Sequence, residues 1–96
     1  MDFKKTSERI WLEDLQGKEI AFVSFPERSD KTVEIDHTVV DGSLRGQGVA
    51  SALLETLARD LREQGKTAIP TCSYAVKWFA EHPEERDLLA DEAGGR

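Results

Sequence analysis

Leu44-Arg45-Gly46-Gln47-Gly48-Val49-Ala50-Ser51 joins a run of β-strand character to an amphipathic helix through a glycine-rich corner. Glycines at 46 and 48 take Cβ atoms out of the bend, and a helix start leaves its first N–H groups without intrahelical acceptors. A helix N-terminus adds about half a unit of positive charge, so such a corner suits an anion, a phosphate for example. The same spacing also serves a tight strand-to-helix turn in which the glycines only pack. The flanking sequence has to decide between the two.

Ahead of the corner, Thr32 to Val40 is rich in β-branched residues and reads as one strand. Strict alternation puts Val33, Ile35, His37 and Val39 on one face, with Glu34, Asp36, Thr38 and Val40 on the other. The acidic positions direct the second face to solvent or a cleft. Behind the corner, Gly48 to Gln64 predicts a helix with Val49, Leu53, Leu54, Leu57, Ala58 and Leu61 along one stripe, stopped by Gly65. Thr67 to Thr71 predicts the next strand, ending near Cys72. Strand, helical crossover and strand make a right-handed parallel β-α-β unit.

Further out, Arg9–Glu13 and Glu19–Phe25 predict antiparallel strands around a turn at Asp14–Lys18. Glu19–Phe25 is apolar on both faces, which places it inside the sheet. Pro26 ends it, and residues 27–31 read as a polar loop. Ser73 predicts the cap of a second helix reaching about His82 and buried through Ala75, Trp78 and Phe79. Pro83 breaks that helix, residues 84–90 supply a turn or two, and 91–96 read as a frayed tail. The expected fold class is mixed α/β (α+β): antiparallel strands leading to a central β-α-β unit, then a C-terminal helix.

A chain of 96 residues supports one core, so a single domain over 1–96 is expected, with its core at about 8–90. No apolar run nears the roughly 20 residues that cross a bilayer, and the N-terminus has no signal-like stretch, so a cytoplasmic location is expected. A net charge of -6 disfavours nucleic acid and anionic membrane as partners. One cysteine and two histidines make an internal disulfide unavailable and a metal site unexpected.

Three kinds of nucleotide site place a glycine loop between strand and helix. A Walker phosphate loop requires Lys-Ser or Lys-Thr at the helix start, where this chain has Val49-Ala50. The dinucleotide fingerprint fits the glycines better but requires an acidic residue at the end of the next strand, where Thr71 and Cys72 stand. Arg45-Gly46-Gln47-Gly48-Val49-Ala50 resembles the R/Q-x-x-G-x-G/A signature of the GNAT superfamily of acyl-CoA-dependent N-acetyltransferases. His37-Thr38-Val39-Val40, Pro70-Thr71-Cys72-Ser73-Tyr74-Ala75 and His82-Pro83-Glu84 extend the likeness to a group of very small, single-domain GNAT-like proteins. It spans roughly Ile10 to Leu89.

The resemblance implies a minimal GNAT fold and acetyl-CoA as cosubstrate. It places the pyrophosphate on the corner amides from Arg45 through Gly46, Gln47, Gly48, Val49 and Ala50, with Ser51 nearby, and the pantetheine arm along Val39 and Val40. An acetyl-CoA-dependent N-acetyltransferase with an unidentified amine acceptor is the function expected. The alternative is an acyl-CoA-binding or regulatory module without efficient turnover. Transfer to a lysine-like amine requires removal of a proton whose pKa is near 10.4 in water, a donor for the oxyanion, and a proton for the thiolate. His37 is the base by residue type, since imidazole titrates near neutrality. Its shared face with Val33, Ile35 and Val39 makes a core role equally compatible. Cys72 stands where the thioester would arrive, able to shape the pocket, take the acetyl group transiently or donate a proton. Tyr74 carries a phenolic acid. Against larger relatives, Cys72 replaces an asparagine and Phe79 a tyrosine acid. The chain is also too short for the helices that wall the acceptor side, which leaves that side open to a bulky acceptor or a second copy; a monomer or homodimer is expected.

Overall fold

The computed structural model describes residues 1–90, and the expected tail at 91–96 lies outside them. Four strands form one sheet in the order β1 (Lys4–Thr6), β2 (Arg9–Glu13), β3 (Glu19–Ser24), β6 (His37–Val40). Three form a second: β4 (Glu27–Ser29), β5 (Thr32–Ile35), β7 (Thr67–Pro70). Helix α1 (Val49–Gln64) links β6 to β7, and α2 (Ser73–Glu81) follows β7. Short 3₁₀ turns occupy Gly42–Leu44 and Pro83–Leu88.

The β2–β3 hairpin follows from alternation and from its turn. Ile10 pairs with Val23 and Leu12 with Ala21, which puts the buried Ile10, Ala21 and Val23 on one face, while Trp11 pairs with Phe22 on the other. Asp14 organises the turn by accepting the N–H groups of Gln16 and Lys18 on Oδ1, each at 2.9 Å. Polar as they are, Lys4–Thr6 and Glu27–Ser29 form edge strands, so the segment expected as a loop after Pro26 instead pairs antiparallel with β5.

The run Thr32–Val40 breaks at Asp36. Up to Ile35 it pairs parallel with β7, Val33 opposite Ala68 and Ile35 opposite Pro70. From His37 it pairs antiparallel with β3, Thr38 opposite Val23 and Val40 opposite Ala21. Asp36 stands between, its N–H on Ser24 O at 3.2 Å, while Ile35 O receives the N–H groups of Thr71 and Cys72. One residue outside both ladders flips the phase of a period-two pattern. Val33 and Ile35 are buried, but in β6 it is Thr38 and Val40 that turn toward the core, with His37 and Val39 outward. The shared face expected for Val33, Ile35, His37 and Val39 is corrected accordingly.

All six stripe residues of α1 are buried. They pack on the inner faces of both sheets and against Trp78 and Phe79 of α2, whose rings meet edge to face at 5.1 Å. Gly65 ends α1 in the left-handed conformation at φ +69°. The cap of α2 is Cys72 rather than Ser73: its Sγ accepts from Ala75 N–H at 3.4 Å. No helix among the described residues is long and apolar enough to cross a membrane.

Candidate functional site

The break at Asp36 sends β6 and β7 into different sheets and opens a splay between them. Asp41 N–H donates to Ile20 O at 2.8 Å, and in an antiparallel ladder residues two apart face the same neighbour. Val39 and His37 therefore direct their peptide groups to β3, and Thr38 and Val40 present theirs at the open edge. Of the two strand positions expected to pair with a ligand, Val40 has its backbone available. Val39 does not, and its side chain lies 48% exposed on the opposite face of the sheet.

The open edge runs into the corner. Gly46 and Gly48 take φ values of +83° and +75°, a region that L side chains rarely adopt. A Cβ built on either would meet no atom within 4 Å, so the fold leaves the room above them empty. Ala52 is the first residue of α1 whose N–H reaches back, to Gly48 O at 3.0 Å. The N–H groups of Gly46, Gly48, Val49, Ala50 and Ser51 have no protein acceptor among the described residues. Two corner amides are already used: Arg45 N–H bonds Gly42 O at 3.1 Å and Gln47 N–H bonds Leu44 O at 3.2 Å. Gln47 also turns its side chain back toward Ser43 O. The expectation that the amides of Arg45 and Gln47 take part in the corner is corrected by those bonds, whereas the exposed Arg45 guanidinium remains beside it.

A cavity of about 380 Å³ fills this angle. Val40, Arg45, Gly46, Gly48, Val49, Ala50 and Ser51 line it, and so do Thr38, Asp41, Leu44 and Tyr74. Gln47 and Val39 do not. Burial, then the negative charges of Glu81 and Glu55, push the Tyr74 phenol above its usual value. Cys72 stands just behind Thr38, with Sγ 3.4 Å from Thr38 Oγ1 across the splay and the positive end of α2 pointing at the sulfur.

His37 is on the other side of β6. Its side chain is 67% exposed, with Nδ1 3.3 Å from Asp36 Oδ1. Burial raises the Asp36 carboxyl, but the Ser24 hydroxyl and the neighbouring His37 outweigh it and hold the group below its ordinary range. The histidine is thus an oriented, solvent-facing imidazole rather than a core residue. No group of three or more His, Cys, Asp or Glu among the described residues is placed to hold a metal ion.

A model of the GCN5-related N-acetyl-transferase family matches residues 9–88. The chain belongs to that family. No curated protein matches the sequence. Among solved structures, this GCN5-related chain is similar to a GCN5-like protein from Staphylococcus aureus determined by NMR, with TM-score 0.78 and 25% identity over 93% of this chain and 87% of that one. It shares its fold with Rv2747 from Mycobacterium tuberculosis, determined in complex with CoA, at TM-score 0.64 and 23% identity over 79% of this chain and 47% of that one. The ribosomal-protein-S18-alanine N-acetyltransferase of Escherichia coli gives TM-score 0.63 and 20% identity over 81% of this chain and 54% of that one. The GCN5-related chain thus spans most of the staphylococcal protein and about half the length of the other two.

Within this GCN5-related fold, Thr38, Asp41 and Leu44 line the cavity beyond the residues expected there, and of these Thr38 is the one that meets Cys72. Unbroken alternation put Thr38 on an acidic face; only the phase change at Asp36 turns it toward the cavity.

Proposed function

We propose that this chain binds acetyl-CoA in the trough between β6 and α1 and transfers the acetyl group to an amine acceptor, acting as a single N-acetyltransferase-like domain. The observation that carries the reading is continuity: the open edge at Thr38 and Val40 leads directly into five N–H groups without protein acceptors among the described residues. A CoA thioester has an amide-bearing arm joined to a pyrophosphate and can use both in that order. The empty space over Gly46 and Gly48 fits that ligand, and the CoA-bound mycobacterial neighbour supports it.

The cosubstrate supplies an activated acetyl group, and the protein's residues do the rest. Edge N–H groups of β6 polarise the thioester carbonyl as charge develops on oxygen. With the corner side filled, the acceptor approaches from the opposite face of the sheet, where His37, oriented by Asp36, takes the ammonium proton. Tyr74, protonated as any phenol is near neutral pH and lining the cavity, gives its proton to the departing thiolate and regains one from the N–H lost as the amide forms. Cys72, bonded to Thr38 behind the cavity, shapes the acetyl end, or attacks the thioester so that the CoA sulfur–acetyl bond breaks, the thiol proton passes to the departing CoA sulfur and the acetyl group rests on Cys72 until the amine attacks it.

The test is release of free CoA thiol from acetyl-CoA in the presence of a panel of amines and peptides. Amine-dependent release is expected, and absence of CoA binding at millimolar concentration defeats the reading. Unchanged turnover after loss of both His37 and Cys72 removes their roles. Mass spectrometry for an acetyl group on Cys72 tests the covalent route. A second reading, an acyl-CoA-binding module without efficient turnover, is favoured by Phe79: it is buried in the core at the position where the family likeness suggests a tyrosine acid. CoA binding with no amine-dependent release selects it.

A further inference from the structure

Trp78 is the largest fully buried side chain among the described residues, and its one polar atom is not spent within its own helix. Indole Nε1–H crosses from α2 to α1 and donates to Ser51 Oγ at 3.1 Å. On the far side, the His82 ring stacks on the indole at 4.1 Å between centroids, and His82 Nδ1 lies 2.7 Å from Trp78 O. Phe79 packs edge-on at 5.1 Å. The indole is held by packing on several sides, so its N–H has a fixed direction.

That direction decides what Ser51 can do. An indole N–H can only donate, so Ser51 Oγ acts as acceptor in this pair and its own O–H remains to be given elsewhere. Among the described residues the Ser51 hydroxyl donates to no protein acceptor, and Ser51 lines the cavity in the first turn of α1, beside the unbonded N–H groups of Val49 and Ala50. Contrast Thr56, one turn further on, whose hydroxyl is spent on Ala52 O at 2.8 Å. Without the indole, a serine in this helix is free to bond back to the preceding turn in the same way.

We propose that Trp78 is a positioning residue for the anion site: its N–H holds Ser51 Oγ as an acceptor and so aims the Ser51 hydroxyl proton into the corner, where it joins the backbone amides on the pyrophosphate of CoA. This rests on the reading of the trough as a CoA site. It makes the anion affinity of the corner depend on a buried side chain of α2 that does not itself line the cavity.

Titration calorimetry with CoA and with pantetheine, which lacks the pyrophosphate, tests it. Ser51→Ala weakens CoA binding by about tenfold, the worth of one hydrogen bond to a charged group, and leaves pantetheine unchanged. Ser51→Thr, which keeps the hydroxyl, restores most of the CoA affinity. Trp78→Phe keeps the aromatic packing but loses the donor; it weakens CoA binding by about threefold or more, and the double variant is no weaker than Ser51→Ala alone. In the wild-type protein, CoA or inorganic pyrophosphate shifts the Nε1–H resonance of Trp78 but not that of Trp11, which is bonded to Glu13 on the opposite face of the sheet. That measurement needs no variant to fold. Failure of the wild type to bind CoA overturns the functional reading itself. Normal CoA binding with an unmoved Trp78 resonance, or additive losses in the double variant, overturns this inference alone.

Discussion

At the scale of single residues, two glycines with the same backbone angle have different consequences. Gly48 sits at φ +75° over the corner and Gly17 at φ +82° in the hairpin turn, and a Cβ at either meets no neighbour. Substitution by alanine should cost each about 1–2 kcal/mol through the left-handed conformation alone, measurable by chemical denaturation. Only Gly48→Ala should also weaken CoA binding, by more than tenfold, because its Cβ enters the space above the amides. Equal effects of both variants on CoA would count against the corner as the site. Cys72 gives a second contrast. Cys72→Ser keeps an acceptor for Ala75 N–H and should leave the melting temperature near or above that of the wild type, whereas Cys72→Ala should destabilise by about 1 kcal/mol. The corner was legible in the sequence because glycine is what a left-handed turn requires. The cap was not, since serine outranks cysteine as a cap and Ser73 stands next to it. Nor was the pairing of Trp78 with Ser51, which joins two helices and has no periodicity to betray it.

At the scale of elements, the long periodic segments were readable and the short or interrupted ones were not. Helix α1 declares itself through six apolar positions and a terminal glycine, β2 through alternation, β3 through apolar residues on both faces, and β7 through its place directly after the glycine that stops the helix. Lys4–Thr6 and Glu27–Ser29 are three exposed polar residues each, strands only because a neighbour offers an edge. Thr32–Val40 reads as one strand, and its two-residue period holds on both sides of Asp36 while its phase reverses beyond it. Nothing local marks the break, because it is created by two distant partners, β3 and β7, competing for one run. The carboxylate at the break is bonded to Ser24 and faces His37. Asp36→Asn should therefore lower kcat by about tenfold or more while CoA binding stays within twofold, since it disturbs the orientation of His37, the proposed base, and not the corner. Steady-state kinetics and titration of the same preparation check both halves.

For the whole molecule, the core is apolar throughout the described residues and the charges are arranged in surface pairs. Leu54, fully buried in α1, should cost about 2–5 kcal/mol when cut to alanine. Acid should act through the pairs. Glu34 is held below its ordinary pKa by the Thr71 hydroxyl and by Arg28, Glu19 by Arg9, and Asp87 by Arg62. A carboxylate lowered on folding contributes stability that is complete above its unfolded pKa, about 4, and lost as pH falls through the folded value. The melting temperature should therefore hold between pH 7 and 5 and fall below about pH 4, with a smaller fall in Glu34→Gln. A flat profile to pH 3 would remove these pairs from the stability of the fold.

The divided strand also sets an order of assembly. The four-stranded sheet is built around a five-residue turn at Asp14–Lys18, whereas Thr32 and Thr67, which begin the β5–β7 ladder, are separated by 35 residues with all of α1 between them. Loop closure favours the near pairs, so the hairpin should be structured in the folding transition state and β7 should dock after it. Ala68→Gly, at a fully buried β7 position, is then expected to speed unfolding far more than it slows folding, a partition that stopped-flow chevrons resolve. The trough takes Tyr74 from α2, which follows β7 in the chain, so the hairpin should form early and the trough should be completed only after β7 has docked.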